Sequence, residues 1–282
     1  MILALDVGNS QIFGGVFEDG ALTVRFRKPS RMPTSSDELG LFLRGVLREN
    51  GRDPSRVSQI AMCSVVPEIV YSLRSCCRKY FGLDPFVLQA GVKTGLKIRY
   101  RNPLEVGADR IANAIAATHL YPERHLIVID FGTASTFDVI RAGREYLGGI
   151  ILPGIRISME ALERNTARLP NVEILPVTEL VGRSTVEGIQ SGLYFGTRAV
   201  VRGLTQEIRD QAFDGEAPLV IGTGGFSRLF ERDRLFDALL PDLILIGLER
   251  ALSLNPGTSG PWKATTGDAA TSAARPDDPP AR

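Results

Sequence analysis

The feature that most limits what this chain can fold into is that its opening returns 124 residues later. Ile2-Leu3-Ala4-Leu5 runs into Asp6-Val7-Gly8-Asn9-Ser10-Gln11, and Leu126-Ile127-Val128-Ile129 runs into Asp130-Phe131-Gly132-Thr133-Ala134-Ser135. At that offset Asp6 meets Asp130, Gly8 meets Gly132, Phe13 meets Phe137 and Val16 meets Ile140. Each copy reads as a short apolar strand, a polar turn carrying a carboxylate, and a hairpin turned at Glu18-Asp19-Gly20 or Ala142-Gly143. Two related α/β lobes are implied, each presenting a polar turn at the end of its first strand, with a ligand between them.

The remaining segments complete this plan, with lobes at residues 1–118 and 119–254. In the first, helical spacing over Ser36 to Glu49, a strand from Gln59 to Val66, a helix from Pro67 to Tyr80 and a strand at Pro85 to Leu88 lead to an Ala-rich helix from Ala108 to His119. In the second, helices are expected at Gly182 to Gly196 and Ala199 to Phe213, a strand at Pro218 to Ile221, and a helix at Phe226 to Leu240; Leu243 to Leu254 closes the folded part. From Asn255 onward five prolines and no apolar periodicity predict a disordered tail over 255–282, including Trp262.

Composition narrows the chemistry. With 33 Lys and Arg against 32 Asp and Glu, the net charge of +1 offers no footprint for nucleic acid or an anionic membrane. No apolar run approaches the roughly 18 residues of a membrane span, so a cytoplasmic protein is expected. Cys63, Cys76 and Cys77 have no metal-ligand spacing and read as buried, reduced thiols. His119 and His125 are the two histidines of the chain, so a histidine base or a multi-histidine metal site has almost no raw material. No P-loop and no G-x-S-x-G elbow is present, and no H-R-D loop accompanies Asp130-Phe131-Gly132. Any catalysis falls to carboxylates and backbone amides.

Three turns suit phosphate. Asp6-Val7-Gly8-Asn9-Ser10 and Asp130-Phe131-Gly132-Thr133 each pair a carboxylate with a residue lacking a side chain, so backbone N–H groups can approach an anion. Facing one another, they suit a nucleoside triphosphate with Mg2+ held through water. Gly222-Thr223-Gly224-Gly225, only part of a G-x-G-x-x-G, offers bare backbone to an adenosine. Asp109 and Arg110 fall in the first turn of the Ala-rich helix, where free N–H groups favour a carboxylate by roughly 0.3–1 kcal/mol. An ordinary helix-start charge with an exposed Arg110 is the plainer alternative.

Together these residues resemble the type III pantothenate kinases of the acetate and sugar kinase, Hsc70 and actin superfamily. Asp6-Val7-Gly8-Asn9-Ser10 is similar to that family's D-x-G-N-T, with Ser for Thr, and Asp130 to Thr136 resembles its second phosphate motif. Ser64-Val65-Val66-Pro67, Gly107-Ala108-Asp109-Arg110, Gly148-Gly149, Pro153-Gly154, Leu169-Pro170, Gly182-Arg183-Ser184-Thr185 and the Gly222 turn follow in family order. The resemblance implies two actin-like (ribonuclease H-like) lobes and transfer of the γ-phosphoryl of ATP to pantothenate. It implies Asp109 as proton acceptor; Asp6, Val7, Gly8, Asn9, Ser10, Gln11, Gly132, Thr133 and Gly224 at ATP; and Tyr100, Gly107, Ala108, Asp109, Arg110 and Thr185 at pantothenate. Mg2+ near Asp6, potassium or ammonium at Asp130, and a homodimer with the pantothenate pocket near its interface are implied as well. Rival readings are a non-catalytic relative acting as an accessory transcription regulator, a kinase for another acceptor, or a phosphatase.

Overall fold

The computed structural model describes residues 1–30 and 34–262. The first lobe comprises β1 (Ile2–Val7), β2 (Gln11–Glu18), β3 (Ala21–Pro29), α1 (Ser36–Glu49), β4 (Gln59–Ser64), α2 (Pro67–Cys76), β5 (Leu83–Asp84) and β6 (Phe86–Val87). After β7 (Lys97–Ile98) and α3 (Ala108–Leu120), the second comprises β8 (Leu126–Phe131), β9 (Ala134–Arg141), β10 (Glu145–Pro153), α4 (Ile155–Asn165), α5 (Thr185–Ala212), β11 (Leu219–Thr223), β12 (Ala238–Leu239) and α6 (Leu243–Leu254), with β13 (Gly260–Pro261) at the end.

The duplication is realised in topology. One sheet runs β3-β2-β1-β4-β6 and the other β10-β9-β8-β11-β12, the same order, with β7 added beside β10. In each, an antiparallel hairpin leads into strands parallel to the first. The registers differ by one residue, however. Asp6 pairs with Phe13 across the first hairpin, whereas Asp130 pairs with Thr136. The cause is the turn: the Gly8 N–H reaches the Gln11 carbonyl at 3.0 Å, while the Gly132 N–H reaches Ala134, one residue sooner, at 3.0 Å. The match of Phe13 with Phe137 is therefore corrected, because a one-residue slip sends a side chain to the opposite face. Phe13 lies on the face of Asp6, and Phe137, opposite Ile129, on the face away from Asp130.

Alternation decides what each face buries. Leu3, Leu5 and Val7 are fully buried with Leu39, Leu43 and Leu47 of α1 and Leu73 of α2; each such side chain contributes roughly 1.5–3 kcal/mol. Ala4, Phe13, Ala61 and Cys63 face the other way, onto Ile111 and Ile115 of α3 and Leu245 and Leu248 of α6. Asp6 shares this second face, which leads to the space between the lobes. The two helices cross so closely that a Cβ on Gly247 would stand 1.9 Å from the Ala112 carbonyl oxygen.

Four expectations are corrected. Two elements cross the division at residue 118/119: β7 joins the second sheet, and α6 packs on β1, β2 and β4 of the first. Helical spacing marks an apolar face without saying which sheet will cover it. The two helices expected across Gly182 to Phe213 are one 28-residue helix, capped where the Ser184 hydroxyl accepts from the Glu187 N–H. Phe226 to Leu240 forms a 3-10 segment, Ser227–Asp233, and then β12, with Arg234 left-handed at φ 52° between them. Finally, 255–262 is ordered. Asn255 is buried, its amide bonded to both backbone groups of Lys93; the Ser259 hydroxyl accepts from Ile60 N–H and donates to the Asp84 carbonyl; and Trp262 N–H donates to Gly82. Buried polar side chains with complete hydrogen bonding hold this segment where apolar periodicity is missing. The rest of the expected tail, 263–282, lies outside the described residues.

Candidate active site

The two glycine turns meet. Ser10 Oγ and Thr133 Oγ1 lie 2.8 Å apart, a direct contact across 123 residues of sequence. Both residues are exposed, as is Asn9; Gly8, Gln11 and Gly132 are partly buried and Val7 fully. At the base of the turns stand two half-buried carboxylates, Asp6 and Asp130. Cys63, opposite Asp6 on β4, donates its thiol to Asp6 Oδ1 at 3.3 Å. Asn113 Nδ2 donates to Asp130 Oδ2 at 3.0 Å, and its own Oδ1 is buried without a partner. Gly224, at φ 87°, closes the floor: a Cβ there would stand 2.3 Å from Asp130 Oδ1.

Asp109 supplies the third carboxylate. It follows the Gly107 cap of α3, with its Oδ1 accepting from the Arg110 N–H at 2.8 Å. Burial pushes Asp6 up to about 7, with the charge of Asp109 adding to it, and the same two causes push Asp130 up to about 7. The charge of Asp109 thus reaches both of the other carboxylates.

Arg110 is not the exposed helix-start charge of the plainer reading. It is 7% exposed, its Nε donating to Asp138 Oδ1 at 2.7 Å. The Tyr146 hydroxyl donates to the same oxygen at 2.7 Å. Burial raises Asp138 to about 6, against the pull of Arg110, and burial likewise pushes the Tyr146 hydroxyl well up, keeping it a donor. Room for the guanidinium comes from Gly149, where a Cβ would stand 2.4 Å from Arg110 Nη2. Tyr100 lies beside this group, its ring 3.3 Å from where a Gly148 Cβ would be.

The structure therefore gathers Asp6, Gly8 to Gln11, Tyr100, Gly107 to Arg110, Asp130, Gly132, Thr133 and Gly224 around one cleft; the expected Val7 is corrected, because its side chain alternates to the opposite face of β1 and is fully buried against α1, leaving only its backbone to the turn. Thr185 stands apart. It is exposed at the start of α5 and lines a groove of about 520 Å³ with Ser158, Leu162, Leu169 and Leu193. Sequence reasoning missed Asn113, Asp138 and Tyr146. Two signals were present: Asn113 lies one helical turn beyond Asp109 on the same face, and an acid inside the apolar run of β9 requires a buried partner. Among the described residues no three His, Cys, Asp or Glu side chains gather as a metal site, and no helix is long and apolar enough to cross a membrane.

A model of the type III pantothenate kinase family matches residues 2–207. A type III pantothenate kinase of Legionella pneumophila (strain Corby) is 57% identical over 255 residues, covering 90% of this chain and 99% of the relative. Two solved structures show the fold alone. A Sinorhizobium meliloti protein described as a 2-dehydro-3-deoxygalactonokinase superposes with TM-score 0.58 at 14% identity, over 91% of this chain and 97% of that one. A Campylobacter jejuni protein described as a Baf family transcriptional activator superposes with TM-score 0.56 at 20% identity, over 90% and 98%. The two-lobed kinase fold, the cleft of paired glycine turns and these likenesses agree: the chain belongs to the type III pantothenate kinase family.

Proposed function

We propose that this cleft performs the family's reaction, ATP-dependent phosphorylation of pantothenate to 4′-phosphopantothenate, the first step of coenzyme A biosynthesis. The observation that carries the assignment of roles is the Ser10–Thr133 contact, which closes the two turns above Asp6 and Asp130, both of which feel the charge of Asp109. The triphosphate lies against the backbone of Val7, Gly8 and Gly132, between the side chains of Ser10 and Thr133 and framed by Asn9 and Gln11; the adenosine lies on Gly224. Because phosphoryl transfer is loose, positioning and charge neutralisation do most of the work. The Asp109 carboxylate orients the pantothenate hydroxyl and accepts its proton. Arg110, held by Asp138 and Tyr146, pairs with the carboxylate of pantothenate beside Tyr100, Gly107 and Ala108.

The residues fit cations. Two carboxylates raised by burial and by the charge of Asp109, and the unpartnered Asn113 Oδ1 beside Asp130, all call for positive charge. Mg2+ is commonly held by one or two carboxylates plus substrate phosphates, which matches Asp6 acting through water, and Asp130 with potassium or ammonium. Bound there, such ions offset the charge of the triphosphate.

A homodimer is part of the proposal. On α4 and α5, Ile157, Leu162, Val186 and Val200 are exposed, and nothing lies within 4 Å above Gly188, Gly192 or Gly196. A second copy seated there would cover an apolar face and bring Thr185 toward a neighbouring pocket. A cytoplasmic location follows from the substrates. The deciding assay measures ADP release with ATP, Mg2+ and potassium, with and without pantothenate. Equal rates and no phosphopantothenate by mass spectrometry would overturn the reading, and a kinase for another acceptor would then be sought.

A further inference from the structure

Asp6 stands in a row of side chains that runs across the first sheet. Cys63 lies opposite Asp6, Asp6 opposite Phe13, and Phe13 opposite Arg27. Directly paired residues project to one face, so Arg27 ends the row that begins beside the first carboxylate. Arg27 is exposed, and its guanidinium carbon sits 4.0 Å over the Phe13 ring, a contact that biases the head toward the row while leaving its N–H fork free. Its field reaches both Asp6 and Asp130. Yet among the described residues Arg27 makes no ion pair and no side-chain hydrogen bond, whereas Arg25, two residues earlier on the same face, closes onto Asp242 at 2.8 Å. The fold does not demand a cation here. In the second lobe the equivalent row runs Thr223, Asp130, Thr136, Ile151, and ends in an apolar side chain.

We propose that Arg27 binds the terminal phosphoryl oxygens of the nucleoside triphosphate and neutralises charge on the phosphoryl group in flight. A cleft with three carboxylates repels a polyanion, and an unclaimed guanidinium at the end of the Asp6 row supplies opposite charge with a planar fork that matches two phosphoryl oxygens at once. The inference rests on the kinase reading for its catalytic half and on nucleotide binding alone for the other half. Two assays separate these: titration with fluorescent ATP and ADP in Mg2+, and steady-state turnover with pantothenate. Arg27→Ala should weaken ATP binding more than ADP binding and lower kcat/KM for ATP by about 10²–10³-fold, the range for losing one preorganised charge contact. The KM for pantothenate should stay within about twofold. Arg27→Lys should recover part of the loss, added methylguanidinium should rescue the alanine variant, and Arg25→Gln should behave as wild type. Equal weakening of ATP and ADP, or an alanine variant within threefold of wild type in both assays, would overturn the proposal. So would a variant altered only in its pH profile, since that is the signature of a counter-ion for Asp6 and Asp130. If wild type shows no pantothenate-dependent turnover, the kinase reading fails and the ATP-against-ADP titration decides Arg27 by itself.

Discussion

Gly247 is where the two lobes are pinned, and replacing it with alanine tests whether that crossing sets the geometry of the site. A Cβ there would stand 1.9 Å from the Ala112 oxygen, 2.5 Å from its carbonyl carbon and 3.0 Å from its Cα, all backbone atoms that no rotamer change can move. Reaching ordinary contact requires α3 and α6 to part by roughly 1.5 Å. Overpacking of this kind costs about 1–3 kcal/mol, and an obstacle made of backbone belongs at the upper end. The alanine returns about 1 kcal/mol of helix propensity. A net loss of about 2 kcal/mol is expected, a fall in Tm of roughly 4–8 °C for a chain of this size. Asp109 precedes Ala112 by one helical turn, so the carboxylate proposed as proton acceptor moves with the helix, and a misplacement near 1 Å can cost about 10²-fold in rate. Thermal unfolding and kcat/KM should therefore fall together. The control is Gly45→Ala in α1, away from the site and from the proposed dimer face, where nothing lies within 4 Å; it should gain roughly 0.5–1 kcal/mol and keep full activity. If Gly247→Ala gained stability as Gly45→Ala does, the crossing would not be the tight point described.

Asp109→Asn should lower kcat by about 10²–10⁴-fold while nucleotide titration shows ATP still bound; near-normal turnover would remove it from the role of proton acceptor. Ending the chain after Trp262 should leave urea unfolding and turnover unchanged, whereas ending it after Leu254 should cost roughly 1–3 kcal/mol, because it strips the buried partners supplied by Asn255 and Ser259. Burial holds Asp138 at about 6, so kcat/KM for pantothenate should fall as pH drops through 6 and the carboxylate takes up a proton and loosens Arg110. Asp138→Asn should remove that inflection and raise KM for pantothenate with little change in kcat; an unaltered pH profile in the variant would assign the titration elsewhere.

Much of the fold was legible because it rests on short-range regularities. Apolar runs ending in Asp-x-Gly located β1 and β8, and their recurrence implied the doubled sheet before any pairing was known. What failed depended on partners far along the chain. Nothing local says that Leu243 to Leu254 will cover the sheet of the other lobe, or that Ser259 will insert between Ile60 and Asp84. The same holds for the site. The turn residues were visible as rare strings, but Asp138 and Tyr146 acquire meaning only once β9 and β10 pair and point both at Arg110.

The doubling also explains why the chemistry is one-sided. Aligned on their crossing pair, Ala112 and Gly247, α3 presents Asp109, Arg110 and Asn113 where α6 presents Ile244, Leu245 and Leu248. The one-residue difference between the hairpins makes Gly15 the counterpart of Asp138. Gly15 packs against Leu245, whose Cδ1 lies 2.8 Å from where its Cβ would be, while Asp138 holds Arg110 at 2.7 Å. The same two positions are thus filled by an apolar contact in one lobe and a buried ion pair in the other. A buried ion pair is costly where a hydrophobic pair would serve, and the first lobe shows that the fold accepts the hydrophobic pair. In the proposed reading the Arg110–Asp138 pair presents its guanidinium to pantothenate on the α3 side of the cleft beside Asp109, while α6 serves as the apolar wall against which that helix is held.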